Sequence, residues 1–498
     1  MNPLKDALAA GGFHYMVELV ASAKTPEEKL FQTASDLGAI PGVIGVSVTS
    51  YAGGSAGHDP VRVGTGVKAR GVTPNVHVTC VNKDRTTILR QLEELNALGI
   101  ENVFAITGDY PLGAETAPLF AMDSVQLIEM ISELRAQGMP FHVSCAVSPF
   151  KYVEADCVYQ YLKLEKKFKA GADFAITQLG YDSLKFAELR RYMDEKGLDK
   201  PVFGNVYVLP TGAARKFNKG EPPGCWVSNE LLARIQEEAK AEDKGMAARL
   251  ERAARTVAIL RGMNYSGAYL GGNDNPERIA WIIRRSEEIA DNWQEYAKEE
   301  SYGPREKGKP AGFYFFDRHS YNQQKTKGAI PALLDTMAKM FPVKHEHNGL
   351  RGALTSVMKW VDERPTMAHT LEKLELAIKE PMFGCKACGN CVLGEMEYVC
   401  PMTCPKNLRN GPCGGTLMGM CEVLPDKPCI WVKVYDNASA AGRVEGLKLF
   451  IPPRNPDLQG TSSFINLFLE RDSRPGHDTN PPVSELVQIT AAATKGEG

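Results

Sequence analysis

The sequence predicts an α/β protein: a (β/α)8 TIM barrel followed by a helical connector and a small cysteine-rich domain that binds metal or clusters. Three observations carry this. Eight short apolar runs alternate with longer amphipathic segments over roughly the first 290 residues, the rhythm of parallel strands joined by helices. No Gly-x-Gly-x-x-Gly turn follows the first run and no Walker-type loop occurs, so a doubly wound sheet lacks its usual signature. Eight of the twelve cysteines crowd between Cys385 and Cys429.

The bulk numbers bound the answer. With 498 residues, 43% hydrophobic and 24% charged, the chain is long enough for two or three domains with a large core. A formal net charge of −2 gives no electrostatic case for nucleic acid or an acidic membrane. Neither a signal-like N-terminus nor a bilayer-length apolar run is visible, and a cytoplasmic enzyme is expected. Without export, clustered cysteines point to metal rather than to disulfides.

Taken in order, the expected strands are 15–20, 43–49, 75–80, 102–107, 141–146, 173–178, 201–206 and 266–270. Each is a short, largely apolar run, as strands covered on both faces should be. Helical patterns fall between them, over 26–37, 83–98, 124–137, 155–170 and 183–196. Thr25 followed by Pro26-Glu27-Glu28 reads as a capped helix start. Gly99, Gly138, Gly171 and Gly197 stand where helices should stop. Residues 211–262 hold a Gly/Pro-containing loop (218–226) and two helices, 228–242 and 246–262, an elaborated seventh unit. The expected division is a barrel over 1–300, a linker and helical connector over 301–380, the cysteine-rich module over 381–435 and a C-terminal tail over 436–498, mobile at its end.

In such a barrel, chemistry is assembled at the C-terminal ends of the strands. The run Val103 to Ile106 ends in Thr107-Gly108, and Asp109 follows at once. Glu18 sits inside an apolar strand, where a carboxylate is costly unless it is paired or protonated; a raised pKa would suit a general acid. Thr49, His77, Thr79, Gln178 and the Asn273-Asp274-Asn275 run also fall at strand ends. Plainer readings compete: Glu18 paired with an interior lysine, Asp109 capping the next helix, the threonines as ordinary strand residues and His77 as a satisfied core histidine. His345 and His347 lack matching ligand spacing and read as a solvated turn.

Several segments resemble the methylenetetrahydrofolate reductases, a family of flavin-dependent (β/α)8 barrels. They are Val17-Glu18-Leu19, Ser47-Val48-Thr49, His77-Val78-Thr79-Cys80, Thr107-Gly108-Asp109-Tyr110-Pro111 and the helix-to-strand run from Lys166 to Gln178. The likeness covers about residues 12–290, in matching order. It implies that Glu18 protonates N10 of methylenetetrahydrofolate, that Asp109 contacts the pterin and biases the flavin, and that Gln178 holds the folate. Thr49, His77, Asp109, Ala146 and Lys167 fall on flavin-contacting positions, with FAD or FMN as the cofactor. It further implies NAD(P)H or a ferredoxin-like protein as electron donor, a possible partner oxidoreductase subunit, and an oligomer. Two departures stand out: Val147 and Lys151 replace a Tyr and a His of better-known members, and no arginine follows the eighth strand. The alternatives are a folate or corrinoid methyltransferase barrel, which would carry no flavin, and a non-catalytic partner subunit.

The cysteines Cys385, Cys388, Cys391, Cys400, Cys404, Cys413, Cys421 and Cys429 are separated by 2, 2, 8, 3, 8, 7 and 7 residues. Cys-x2-Cys-x2-Cys wraps one face of a cluster, and Cys400 to Pro405 matches the closing part of ferredoxin runs, so eight ligands would serve two 4Fe-4S clusters. Structural zinc in four-cysteine sites is the alternative. The run from Cys404 to Gly415 is similar to a C-terminal module associated with the same reductases, which in some bacteria is a separate subunit.

Overall fold

The computed structural model describes residues 2–50, 57–111, 117–306, 309–317, 332–335 and 349–487. Strands β1 (His14–Leu19), β2 (Val43–Val48), β3 (Pro74–Thr79), β4 (Asn102–Ile106), β5 (His142–Val147), β6 (Phe174–Thr177), β7 (Val202–Tyr207) and β8 (Gly267–Gly271) form a closed parallel barrel in chain order. The seam is β8 against β1, with Met16 opposite Tyr269 and Val17 opposite Leu270. All eight expected strands are present, and the doubly wound alternative is excluded.

Helices α1 (Pro3–Ala10), α2 (Glu27–Gly38), α3 (Pro60–Ala69), α4 (Arg85–Ala97), α5 (Ser124–Ala136), α6 (Glu154–Ala170) and α7 (Ser183–Glu195) accompany the first seven strands. The seventh unit carries α8 (Thr211–Asn218), α9 (Asn229–Glu238) and α10 (Met246–Gly262); α11 (Pro276–Glu288) and α12 (Trp293–Glu299) follow β8. The expected stop at Gly171 is a left-handed cap with φ +115°, a conformation only glycine adopts cheaply. Thr25 is not the cap of α2: the helix begins at Glu27 after an extended Pro26, which makes no side-chain cap bond. Helix α8 was hidden in the sequence by its shortness and its Thr-Gly start.

Strand alternation sorts the side chains. Val17, Leu19, Val46, Val48, Val76 and Val78 point outward into the main core beneath the helices. Met16, Phe104, Phe174, Ile176, Phe203 and Tyr269 point inward and form a second apolar cluster with Leu4 of α1. Helix α1 therefore closes the N-terminal end of the barrel, with the Asn2 side-chain amide donating to Asn102 Oδ1 at 2.9 Å. Midway up, Asn75 Nδ2 donates to Ser47 Oγ and to Ser144 Oγ, both at 3.3 Å. At the other end the interior is open.

Residues 311–317 are not helical, contrary to the helical pattern expected from 311 onward; Phe313 and Phe315 pack on the barrel. Helices α13 (Gly349–Asp362) and α14 (Pro365–Phe383) then lead to the cysteine-rich segment. Beyond it, α15 (Ile430–Ala440) and α16 (Ser463–Phe468) give the tail regular structure, and its residues 441–487 are also placed. His345, His347 and the end of the tail (488–498) lie outside the described residues.

This C-terminal part sits on the barrel. Helix α15 packs along α6, with the Tyr159 and Trp431 rings 5.5 Å apart and Trp431 almost fully buried. The Asp123 carboxylate accepts from the backbone N–H groups of Arg409 (3.3 Å) and Asn410 (3.0 Å), while Thr416 Oγ1 donates to Asp156 at 2.7 Å. Gln126 donates to the Ile451 carbonyl at 2.9 Å. These hydrogen bonds satisfy several buried polar groups across the contact.

Candidate active site

At the open end of the barrel lies a cavity of about 290 Å³ that is continuous with solvent. Its floor is made by inward-facing side chains at the strand ends. Glu18 comes from β1 and stands beside Ser47 of β2 in register. His77 comes from β3, Ala146 from β5, Asn205 from β7 and Tyr269 from β8. Thr49, Asp109 and Gln178 stand just past the ends of β2, β4 and β6, and Lys167 reaches in from α6. The structure thus gathers every residue expected for catalysis or flavin contact into one cavity.

Glu18 does not pair with a lysine. The Gly272 backbone N–H and the Tyr269 hydroxyl donate to its carboxylate, yet burial dominates and raises its pKa from the usual 4.5 to about 7. Gly271 lies close beside it: a Cβ there would stand 3.0 Å from Glu18 Oε2. Asp109 does not cap the next helix; Asp123 does so, with a full capping box on α5. Gly108, at φ +90°, turns the chain sharply out of β4 and leaves Asp109 facing the cavity. Desolvation raises the Asp109 pKa, Lys406 opposes this and Glu422 adds to it.

His77 is neutral, its pKa pushed down to about 3 by burial, and Nε2 shares a 3.0 Å hydrogen bond with Ser47 Oγ. Thr49 Oγ1 accepts from the Ala21 N–H at 3.2 Å. Lys167 Nζ donates to the Ala146 carbonyl at 2.5 Å, so two of the expected flavin contacts hold each other, and burial brings this lysine down to about 8. Gln178 Oε1 accepts from the Leu179 N–H at 2.9 Å, which leaves its amide donors toward the cavity.

Two buried oxygens in the cavity wall, Ser148 Oγ and Asn205 Oδ1, have no hydrogen-bond partner among the described residues. Together with the volume and the neutral His77, they fit a polar heteroaromatic ring system such as flavin or pterin.

Sequence reasoning missed the outer wall. The cysteine-rich segment supplies Lys406, Pro412, Cys413, Gly414, Gly415 and Glu422 to the same cavity. Lys151, one of the two departures from the reductase pattern, donates to the Gly414 carbonyl at 2.9 Å and also bonds the Thr416 carbonyl. Lys163 Nζ donates to the Pro412 carbonyl at 2.9 Å, and Gln160 to that of Cys413 at 2.8 Å. Such partners, some 250 residues away in sequence, left no local signal.

The eight clustered cysteines fall into two sets. Cys385, Cys388, Cys391 and Cys400 line one cavity, next to Lys379 of α14. Cys404, Cys413, Cys421 and Cys429 form the other: Cys421 opposes ionisation of Cys404, Cys404 that of Cys413, and Cys413 that of Cys429. Four thiols per set suit a four-cysteine site. Among the described residues no three His, Cys, Asp or Glu side chains are arranged to hold a single metal ion. Cys413 is the clustered cysteine that also lines the cavity above Glu18.

A (β/α)8 barrel with a buried acid, a rim carboxylate and a polar cavity at the strand ends has the layout of an enzyme barrel. The family follows from comparison. A family profile described as methylenetetrahydrofolate reductase matches residues 4–260, just over half of the chain, and one described as methylene-tetrahydrofolate reductase C terminal matches 364–457. The chain belongs to the methylenetetrahydrofolate reductase family. It is 30% identical over 144 residues to a probable methylenetetrahydrofolate reductase (NADPH) of Caenorhabditis elegans, covering 28% of this chain and 21% of that one. It is 30% identical over 176 residues to the 5,10-methylenetetrahydrofolate reductase of Salmonella typhimurium, covering 34% and 57% respectively. The alignments thus span between about a fifth and three fifths of those relatives. A solved protein from Clostridium thermocellum, whose title says it binds two copies of 5-methyl-5,6,7,8-tetrahydrofolic acid, superposes with a TM-score of 0.41 at 11% identity, over 58% of this chain and 98% of its own. That likeness is too loose to bear on function. Among the described residues no helix is long and apolar enough to cross a membrane.

Proposed function

We propose that the protein reduces 5,10-methylenetetrahydrofolate to 5-methyltetrahydrofolate in the barrel cavity, in the cytoplasm. The observation that carries this is Glu18: a carboxyl at the cavity floor, held by Tyr269 and Gly272, whose pKa of about 7 keeps a proton available near neutral pH. Family membership supplies the substrate class.

Glu18 donates its proton to N10 of the bound substrate. The five-membered ring opens, and a 5-iminium cation is left on the pterin. The Asp109 carboxylate faces this developing positive charge from the cavity mouth, and its field stabilises the cation. Gln178 directs its amide donors at the pterin. Thr49, His77, Asp109, Ala146 and Lys167 would hold a flavin, FAD or FMN. A reduced flavin, when bound, supplies the hydride that converts the iminium carbon to a methyl group. The neutral His77 adds no positive charge that would repel the iminium.

The two cysteine sets would hold 4Fe-4S clusters, and the position of Cys413 in the cavity wall supports electron entry through the second set. The donor is then a one-electron carrier of the ferredoxin type or a partner oxidoreductase, rather than NAD(P)H acting directly.

Anaerobic purification followed by absorption spectroscopy, metal analysis and turnover with 5,10-methylenetetrahydrofolate tests this reading. Expected are flavin bands, about eight irons per chain as two four-iron clusters require, and formation of 5-methyltetrahydrofolate with a viologen donor. Zinc in place of iron, or full reduction by NADH in iron-free protein, would remove the electron-entry part. Absence of any 5-methyltetrahydrofolate would remove the whole.

A further inference from the structure

The cysteine-rich module does more than border the cavity. Lys406, two residues after Cys404, is almost fully buried and reaches across to the barrel, where its ammonium donates to the Gly108 carbonyl at 3.0 Å. Gly108 is the turn that delivers Asp109. It cannot be stiffened by a side chain, because a Cβ there would meet Val81 at 2.7 Å in addition to the left-handed strain. No hydrogen bond holds the Asp109 carboxylate itself among the described residues, so its aim depends on the backbone turn behind it.

The lysine is held in turn. It forms a buried ion pair with Glu422, and its Nζ lies 5.7 Å from the Phe120 ring centre. A buried ammonium is costly unless it is satisfied, and here it is satisfied by one module carboxylate and one barrel carbonyl. Its position is fixed from both sides.

We propose that Lys406 is a positioning residue for Asp109: it locks the Thr107-Gly108-Asp109 turn and sets a compensating positive charge beside the rim carboxylate. The module then completes the folate site of the barrel, in addition to any part it plays in electron entry. This rests on the folate reading given above.

The test uses full-length protein purified anaerobically, with variants Lys406→Met, Lys406→Arg and the double variant Lys406→Met/Glu422→Gln. Equilibrium binding of 5-methyltetrahydrofolate is followed by fluorescence quenching, beside kcat and KM with a viologen donor, thermal stability, and iron and flavin content. Lys406→Met should weaken binding about tenfold or more and lower kcat further, since misplacing a catalytic group by an ångström costs on that order, with iron and flavin content unchanged. Lys406→Arg should recover most of the affinity. The double variant, free of an unpaired buried carboxylate, should recover stability but not affinity. Unchanged binding by Lys406→Met, full recovery by the double variant, or an affinity loss in proportion to lost iron would overturn the proposal. A wild-type protein that fails to bind 5-methyltetrahydrofolate would instead sink the folate reading itself.

Discussion

The two ends of the barrel are built from the same alternation of inward side chains, yet one is sealed and the other is not. At the N-terminal end Leu4 of α1 fills the bore among Met16, Phe174 and Phe203, and the polar residues there satisfy one another: Asn2 donates to Asn102, whose oxygen also meets His142 Nδ1 at 3.1 Å. At the C-terminal end no helix plugs the bore. Glu18 is held by two donors against a strong burial penalty, while the buried Ser148 Oγ and Asn205 Oδ1 have no hydrogen-bond partner among the described residues. Polarity inside a barrel therefore does not by itself mark a site; polarity left unsatisfied does.

If that contrast is right, substitutions at the two ends should separate stability from activity. The largest effect belongs to Glu18→Gln, which keeps the shape and removes the proton. Turnover should fall by about a thousandfold or more, within the range for general acid catalysis, while 5-methyltetrahydrofolate binding changes little. Retained turnover in a steady-state assay would break the account of the site. Next comes Leu4→Ala at the sealed end, which should cost about 2–5 kcal/mol of stability in denaturant unfolding, as buried leucines do, with kcat unchanged. A loss of kcat equal to that of Glu18→Gln would show that the ends are not independent.

The sequence carried the barrel well because each strand is short, apolar and followed by a glycine-stopped helix, all of them local signals. Glu18, Asp109 and Gln178 were visible for a related reason: each is a polar residue at or near the end of an apolar strand. The outer wall was not visible. Lys151, Lys163 and Gln160 look like ordinary solvated residues of a βα loop and helix, and only the fold shows them bonding to Gly414, Pro412 and Cys413. Spacing alone could not sort the eight cysteines into 385/388/391/400 and 404/413/421/429, because pairing across turns is a property of three-dimensional packing.

The sealed end contains no acid in the position of Glu18, so the pH dependence contributed by the open end can be isolated. The Glu18 pKa is raised in the folded state, so the native chain retains a proton that the unfolded chain gives up. Its stabilising contribution is complete below about 4.5 and is lost as the pH rises through about 7. A shift of this size corresponds to no more than about 3.5 kcal/mol, at about 1.4 kcal/mol per unit. Glu18→Gln, which cannot ionise, should therefore gain stability relative to the wild type between pH 5 and pH 8, measured by urea unfolding across that range. A constant difference would mean that Glu18 is not buried as a carboxylic acid. Leu4→Ala should show no such slope.

The smallest and most local effect concerns Gly271. It lies in β8 with ordinary backbone angles, so replacement by alanine brings no left-handed strain, and the added methyl carbon would meet Glu18 Oε2 at 3.0 Å and Tyr207 at 3.4 Å. Those contacts are tight without being prohibitive, and Glu18 can yield by a few tenths of an ångström. Gly271→Ala should leave the fold within about 1 kcal/mol of wild type, in the lower range for point substitutions. Its effect on kcat should be nearer tenfold, because the acid is displaced from the atom it protonates. The alkaline limb of the pH–rate profile, where Glu18 loses its proton, should move with it, since the Gly272 N–H and Tyr269 hydroxyl that hold down the Glu18 pKa would no longer be aligned. A larger loss of stability than of activity would place the role of Gly271 in strand packing, and the open end of the barrel would then be less finely set than the sealed one.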